Sequence, residues 1–272
     1  MSLELKRLLA GAASVALIST SAVAQDASSA AVEETAGLDE IVVTAQKRSE
    51  NLQQVPITIT AASGEEIAAR GVNNTFELNA IAPGLNIRTA SGAIQTFIRG
   101  IGTTSNVVEN PVALYIEGVY LPQQRDGLRE LVDVEQIAVL KGPQGTLFGR
   151  NATGGVVQIT TRAPSHKFGG EARAEIDSCA TLRTRLYATG GLSDTVAVSL
   201  ALGYAYQGEG YGDSIAIGHD TNRLRHEASV RGKLLWEPSN RTSLTLIGDY
   251  LDRDQLANSF QPDQMDTAER NR

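Results

Sequence analysis

The sequence predicts a compact α+β domain followed by antiparallel strands of the kind that cross a membrane as a β-barrel. Three observations lead to this fold class. Residues 55–164 alternate short β-branched runs with two helix-start signals. From Ser165 onward the helix signals stop, and longer strands with one apolar and one charged face take over. The chain also begins with an export signal, which places these elements outside the cytoplasm.

The N-terminus predicts export. Lys6-Arg7 precedes an apolar run from Leu8 to Ile18, and Ala22-Val23-Ala24 supplies an A-x-A cleavage site. Residues 1–24 are therefore predicted to be a secretory signal peptide. The run is too short for a membrane-spanning helix, which needs about 20 apolar residues. A function in the membrane would therefore have to use β-strands.

Residues 25–54 are predicted to be disordered around one extended segment. Residues 25–38 are small, acidic and polar, a composition that cannot build a core. The β-branched run Glu40–Ala45 follows. It has two interpretations: an edge strand of the next domain, or a flexibly tethered peptide that adds a strand to a partner protein.

Residues 55–164 are predicted to form the α+β domain. Val55–Thr60 alternates with a period of two, as a half-buried strand does. Ser63–Glu66 is a capping box that opens a short helix ending at Arg70-Gly71. Asn74–Glu77 repeats the device, and Pro83-Gly84 ends that second helix. Further strands are predicted at 85–88, 93–99, 113–116, 137–140 and 156–161.

Residues 165–272 are predicted to contain about five strands of a barrel wall. Val196, Val198 and Leu200 share one face of a predicted strand. In the strand before it, Arg183 and Arg185 share one face, and apolar residues such as Leu182 and Leu186 lie on the other. One apolar face and one charged face suit a wall between lipid and a polar lumen. A soluble antiparallel sandwich would alternate in a similar way, so the pattern leaves both interpretations open.

Composition excludes several function classes. Cys179 is the only cysteine, so neither an internal disulfide nor a cysteine metal cluster can form. The net charge of −7 argues against nucleic acid as a partner. The glycine-rich stretch Lys141–Arg162 lacks the G-x-x-x-x-G-K-[ST] pattern of a phosphate-binding loop. We identify no catalytic constellation and predict no enzyme activity, no metal site and no cofactor.

Five motifs, in this order, resemble those of TonB-dependent outer-membrane receptors: DEIVVTAQKR at Asp39–Arg48, VPITIT at Val55–Thr60, FIRGIG at Phe97–Gly102, ALYIEGVYLP at Ala113–Pro122 and KGPQGTLFGRNATGGVVQITTR at Lys141–Arg162. The resemblance implies a plug domain at 55–164, on the periplasmic side of a barrel lumen, in the outer membrane of a Gram-negative bacterium. Residues 165–272 would begin the barrel and contact outer-membrane lipid. The family's barrel has 22 strands. We therefore expect an incomplete barrel, and a chain that is a fragment unable to transport.

The resemblance implies uptake of a scarce ligand, most often an iron–siderophore complex, with TonB and its inner-membrane energising complex as partners. Vitamin B12, heme or a saccharide are alternative ligands. A free-standing periplasmic plug that binds ligand is an alternative of another class. A signal-transducing receptor is disfavoured, because only 14 residues separate Gln25 from Asp39.

The resemblance also implies site residues. The TonB contact, or TonB box, would comprise Asp39, Glu40, Ile41, Val42, Val43, Thr44 and Ala45. Ligand contacts are expected from two polar loops, with Thr103, Ser105, Asn106, Gln123, Gln124 and Arg125 as candidates, although ordinary solvated loops are an equal alternative. Arg99 and Lys141 match the family's basic latch positions, which pair with carboxylates of the barrel wall. Lysine replaces the more usual arginine at the second position and pairs less well. We expect the carboxylates beyond Arg272.

Overall fold

The computed structural model describes residues 42–45, 48–51, 57–90, 92–105, 107–177, 179–210, 212–213, 220–221 and 223–256. The predicted signal peptide, the segment 25–38, the first three TonB-box residues and Asn106 lie outside these ranges. No helix among the described residues is both long and apolar enough to cross a bilayer.

The described elements fall into an N-terminal hairpin, the plug and the wall, in chain order. The hairpin comprises β1 (Val42–Ala45) and β2 (Arg48–Asn51). The plug comprises β3 (Thr58–Ser63), α1 (Gly64–Ala69), a 3₁₀ helix (Thr75–Ala80), β4 (Leu85–Ala90), β5 (Ala93–Ile98), β6 (Val112–Ile116), β7 (Val119–Tyr120), β8 (Val134–Lys141), α2 (Gly145–Phe148) and β9 (Gly155–Thr161). The wall comprises β10 (Gly169–Ile176), β11 (Thr181–Ser193), β12 (Val196–Gln207), β13 (Gly212–Asp213), β14 (Asp220–Thr221), β15 (Arg223–Ser239) and β16 (Thr242–Leu256).

Both predicted helix starts are present. The Ser63 hydroxyl accepts a hydrogen bond from the Glu66 N–H at 3.2 Å and caps α1, which ends before Gly71 at a φ of 66°. The Asn74 side chain caps the second helix by accepting from the Glu77 N–H at 3.2 Å. The second helix is of the 3₁₀ type, with i→i+3 bonds such as Ile81 N–H to the Leu78 carbonyl.

The plug sheet has the strand order β3-β8-β9-β6-β7, and β3 lies at one edge. Strands β6 and β9 are parallel, and the other pairs are antiparallel. All five predicted plug strands between 85 and 161 are present. The sheet is buried on both faces, by the cluster that includes Leu78, Ile98 and Val157 and by a smaller one around Tyr115 and Phe148. The plug therefore has a core of its own.

The main sheet of the wall is antiparallel and five-stranded, in the order β10-β11-β12-β15-β16, as predicted, and β13 and β14 form a separate two-stranded sheet. Its apolar face is exposed: Leu200, Trp236 and Leu246 keep 45–57% of their surface accessible. The opposite face, with Ala201 and Glu227, is buried against the plug. A soluble sandwich would bury its apolar face, so the structure favours the barrel-wall interpretation over the sandwich.

The hairpin departs from the prediction of disorder over residues 25–54. The backbone of Val42–Ala45 pairs antiparallel with Arg48–Asn51, with Val42 opposite Asn51 and Ala45 opposite Arg48. β-Branched Val42, Val43 and Thr44 favour a strand, and the connection between the two strands is only two residues long. The extended conformation predicted for Val42–Ala45 is present, whereas the strand at Arg48–Asn51 was not predicted.

Candidate functional site: the plug–wall interface and the ligand loops

The last four residues of the predicted TonB box form β1. One edge of β1 is occupied by β2. An exposed strand edge presents the N–H and C=O groups that an added strand needs. The strand conformation expected of the box is therefore present in Val42–Ala45, whereas Asp39, Glu40 and Ile41 lie outside the described residues.

The structure brings the two predicted ligand loops together. The Gln124 side-chain amide donates to the Ser105 carbonyl at 2.9 Å and to the Val108 carbonyl at 3.0 Å. Gln95 donates to the Thr104 carbonyl at 2.6 Å and fixes the same loop to β5. The Gln124 oxygen is buried and has no partner in the described part of the chain. Gln124 thus holds the two loops in contact.

The other candidate ligand residues differ in whether their side chains bond within the loop or are exposed to solvent. The Thr103 hydroxyl accepts from the Ser105 N–H at 3.1 Å, which stabilises the turn of the loop. Gln123 and Arg125 are exposed on the second loop, and Val107 and Val108 are exposed at the tip of the first, Val107 at 95%. The surface that the two loops present is therefore partly apolar and of mixed charge, because Glu109 and Asp126 are exposed beside Arg125. Asn106 lies outside the described residues.

The latch residues lie near each other on the plug. Arg99 is exposed and has a φ of 52°, and its N–H donates to the Gly84 carbonyl at 2.8 Å. Burial, and then the charge of Arg99, lower the pKa of Lys141. Within the described ranges, no carboxylate lies within 4.0 Å of either side chain. Their pairing with wall carboxylates stays a prediction.

The plug contacts the wall through charges that the sequence reasoning did not single out. The segment Arg129–Asp133, which we call the clamp, precedes β8 and contacts four wall strands. Glu130 accepts from the Arg183 guanidinium at 3.0 Å and lies 3.6 Å from that of Arg185, both on β11. The Glu130 N–H donates to the Glu227 carboxylate of β15 at 2.8 Å, and Glu227 also pairs with Arg253 of β16. Two carboxylates thus share three arginines at one buried point.

A second set of ion pairs continues down the same interface. Asp133 pairs with Arg231 of β15 at 3.0 Å, and Asp249 of β16 links Arg231 to Arg129 at 3.2 Å each. Beyond the clamp, Glu117 lies 3.2 Å from Lys233, whose ammonium also donates to the Thr161 carbonyl at 2.9 Å. Buried charges are stable only when paired in this way.

Two of the plug carboxylates in this interface occupy uncommon backbone conformations. Asp133 has a φ of 53° and Glu117 a φ of 52°, in the left-handed region that side chains other than glycine rarely adopt. Such conformations persist where the surroundings hold them. Glu117 is held by accepting from the Thr161 N–H and hydroxyl at 2.5 and 2.9 Å. The backbone strain therefore coincides with the contacts to the wall.

Burial dominates the electrostatics of the clamp. It raises the pKa of Glu130 to about 7, although Arg183 and Arg185 attract the carboxylate. It raises the pKa of Asp133 to about 6 against the attraction of Arg231 and Lys233. Docking the clamp on the wall therefore favours the protonated acids. This makes the interface proton-sensitive near neutral pH.

Close packing fixes the position of the clamp on the wall. A Cβ atom at Gly203 of β12 would lie 2.5 Å from Val132 Cγ2 and 2.5 Å from the Ser229 hydroxyl oxygen. The Val132 side chain therefore occupies the space that the missing side chain leaves. The inward-facing charges Arg183 and Arg185 were visible in the alternation of β11, but Gly203 carried no sequence signal of this role.

Together these features define a class of protein. A separate α+β plug is docked on the polar face of an antiparallel sheet, and the apolar face of that sheet is exposed, as a wall in contact with lipid requires. This is the arrangement of a plug domain docked on part of a β-barrel wall.

The comparisons with known proteins show which proteins the chain resembles. Residues 51–156 match the sequence model of the TonB-dependent receptor plug domain. The chain is 31% identical to the pesticin receptor of Yersinia pestis over 158 residues. This alignment covers 57% of this chain and 23% of the pesticin receptor. It is 27% identical to the iron-regulated outer membrane virulence protein of Vibrio cholerae over 243 residues, and this alignment covers 81% of this chain and 34% of that protein. The chain carries a TonB-dependent receptor plug domain and is related to the TonB-dependent receptors of the outer membrane.

Solved structures agree with this assignment. The ferric yersiniabactin uptake receptor FyuA from Yersinia pestis superposes with a TM-score of 0.66 at 25% identity, over 72% of this chain and 31% of that one. The ferric-catecholate import receptor Fiu from E. coli K12, in its open form, gives 0.60 at 25% identity, over 76% and 28%. The chain spans about a quarter to a third of the length of these relatives.

Proposed function

We propose that this chain belongs to a receptor that takes up an iron–siderophore complex across the outer membrane with energy from TonB. The relatives that carry the proposal are named as a pesticin receptor, a ferric yersiniabactin uptake receptor and a ferric-catecholate import receptor. The two plug loops that Gln124 holds together support it, since they offer one continuous surface to a ligand. Binding and translocation, rather than catalysis, are the proposed activity.

The five described wall strands form an open sheet with β10 and β16 at its edges. Unpaired strand edges are costly in lipid, so we propose that uptake requires a wall in which both edges are paired. We further propose that Arg125 and the tip residues Val107 and Val108 contact the ligand. Arg125 offers hydrogen-bond donors to an anionic group of the complex, and the exposed valines suit an apolar rim.

Uptake is tested with radioactive iron. Cells that produce the receptor are compared with deletion cells for accumulation of ⁵⁵Fe supplied as ferric yersiniabactin or as a ferric catecholate, each with and without TonB. Accumulation that needs both the receptor and TonB supports the proposal. TonB-dependent accumulation of labelled vitamin B12, with no iron uptake, would show that vitamin B12 rather than an iron–siderophore complex is the ligand. Recovery of the protein in the soluble periplasmic fraction would indicate a free-standing binding module and contradict the proposed transport function.

The TonB contact is tested separately at β1. The substitution Val43→Pro removes a backbone donor and breaks strand pairing, so it is expected to abolish uptake and leave ligand binding to cells unchanged. Val43→Thr keeps a β-branched residue and serves as the matched control. Normal uptake by the proline variant would show that residues 42–45 are not the TonB contact.

A further inference from the structure

A small cavity lies between the two predicted ligand loops, residues 103–110 and 122–128. Its volume is about 20 Å³, and residues of both loops and of strands β5, β6 and β7 bound it. Much of the lining is apolar and includes Ile94, Val112 and Leu121. Two amide side chains interrupt this apolar lining: Asn110, at the end of the first loop, and Gln124, in the second.

One hydrogen bond fixes the orientation of the Asn110 amide. Asn110 is only 7% exposed, and its side-chain oxygen accepts from the Val112 N–H at 2.9 Å. The reverse orientation would set the amide N–H groups against the N–H of Val112, so the oxygen has to face Val112. The amide nitrogen of Asn110 is buried and has no partner in the part of the chain that the structure describes. The first loop therefore brings an unused hydrogen-bond donor to the cavity.

The Gln124 amide is fixed in the same way and offers the complementary atom. Its nitrogen donates to the Ser105 and Val108 carbonyls, at 2.9 and 3.0 Å, and this sets which end of the amide is the oxygen. That oxygen is buried and, among the described residues, has no donor. Buried polar atoms are rarely left without a partner, because the loss of hydration is then uncompensated. One donor and one acceptor on a shared cavity therefore call for a common partner.

The two amide atoms restrict what that partner can be. A cation would face the N–H groups of Asn110, and an anion would face the oxygen of Gln124, so neither ion suits both. A neutral group that both accepts and donates satisfies the two atoms. The cavity of about 20 Å³ exceeds the space of about 10–15 Å³ that one water molecule needs, and it is too small for a larger alcohol.

We propose that this cavity is a binding site for a single water molecule, which accepts a hydrogen bond from Asn110 and donates one to Gln124. The water joins the end of the first loop to the second loop. It also holds the Gln124 amide in the orientation that bonds Ser105 and Val108. The relative position of the two loops thus depends on a water molecule beneath them. The inference goes beyond the proposed function and does not depend on which ligand the loops bind.

A crystal structure of the full receptor, grown without ligand and at a resolution that shows ordered water, tests the site directly. We expect one density peak within about 2.7–3.2 Å of both the Asn110 amide nitrogen and the Gln124 side-chain oxygen. A cavity without density would overturn the inference. So would a direct hydrogen bond between the two amides.

Hydrogen–deuterium exchange of the same receptor tests the link between the loops. Asn110→Leu keeps the number of side-chain heavy atoms but cannot donate to the water. We expect it to accelerate backbone exchange in residues 122–128 at least about tenfold, because exchange follows local opening. Thr96→Val, a change of similar shape on the same cavity, leaves both amides in place and is expected to exchange like the wild type.

Two results of the exchange experiment would contradict the proposal. Asn110→Leu also removes the acceptor for the Val112 N–H, and a role confined to that bond would accelerate exchange only in residues 103–110. Equal acceleration in Asn110→Leu and Thr96→Val would show that any change of the lining loosens the loops. Should Asn110→Leu fail to assemble, the density in the wild-type crystal decides the question alone. Uptake of ⁵⁵Fe tests the proposed function separately, since neither the density nor the exchange measurement uses a ligand.

Discussion

The contact between Val132 and Gly203 allows the docking of the plug to be tested with a substitution that adds a single methyl group, Gly203→Ala. In Gly203→Ala the new Cβ would lie 2.5 Å from Val132 Cγ2, about 1 Å inside the optimal separation of about 3.5–4.0 Å for carbon atoms. It would also lie 2.5 Å from the Ser229 hydroxyl oxygen, which can rotate away. Val132 cannot move as easily, because ion pairs hold Glu130 and Asp133 on either side of it.

Adding atoms to a close-packed contact of this kind costs about 1–3 kcal/mol. We therefore expect Gly203→Ala to lower the free energy of unfolding by about 2 kcal/mol. Gly232 on β15 provides the matched control, because a Cβ there meets nothing within 4 Å. Gly232→Ala is expected to change the free energy of unfolding by less than about 0.5 kcal/mol.

The assay is urea unfolding of the purified protein in detergent micelles, with the double variant Gly203→Ala/Val132→Ala included. Removing the Val132 methyl groups makes room for the new Cβ, so the double variant should be more stable than the sum of the two single losses by about 1–2 kcal/mol. Additive losses would refute the reasoning. So would a Gly203→Ala variant as stable as Gly232→Ala.

Two further predictions concern the clamp and the first helix. Because burial raises the pKa of Glu130 from 4.5 to about 7, its contribution to stability is complete below pH 4.5 and is lost as the pH rises through 7. The free energy of unfolding should therefore fall by about 1 kcal/mol between pH 6 and pH 7.5 in urea titrations, and the fall should largely disappear in Glu130→Gln. An equal fall in the wild-type protein and in Glu130→Gln would show that a group other than Glu130 causes the pH dependence. Ser63→Ala removes the cap on the Glu66 N–H and should cost about 1 kcal/mol in the same assay, whereas Ser63→Asp, which can cap, should cost little. Equal losses in the two variants would show that the cap does not stabilise α1.

Local signals in the sequence located the elements well. Ser63 and Asn74 cap the helices that they predict, since a cap depends only on residues three positions apart. The alternation of Val196, Val198 and Leu200 indicated one face of β12, because side chains alternate along any strand. The predicted ligand loops also proved to be neighbours, joined by Gln124. The second helix took the 3₁₀ form, which the capping signal does not distinguish from an α-helix.

The plug–wall contacts were beyond local reasoning. Asp133 and Arg231 are 98 residues apart, and Glu130 and Glu227 are 97 apart. Which plug carboxylate Arg231 meets depends on how the plug is docked. A glycine such as Gly203 within a strand has no local signal of its partner. The proximity of Arg99 and Lys141 was not predicted, and their pairing with wall carboxylates stays a prediction.

The sequence by itself determined the capped helices, the strands and the two chemically distinct faces of the wall, because each depends on residues within one element. Only the tertiary structure decided that the charged face meets the plug and that Glu130 and Glu227 share three arginines. These features arise from packing between distant segments. Their energies depend on burial and on the fit of surfaces, which no periodicity along the chain encodes.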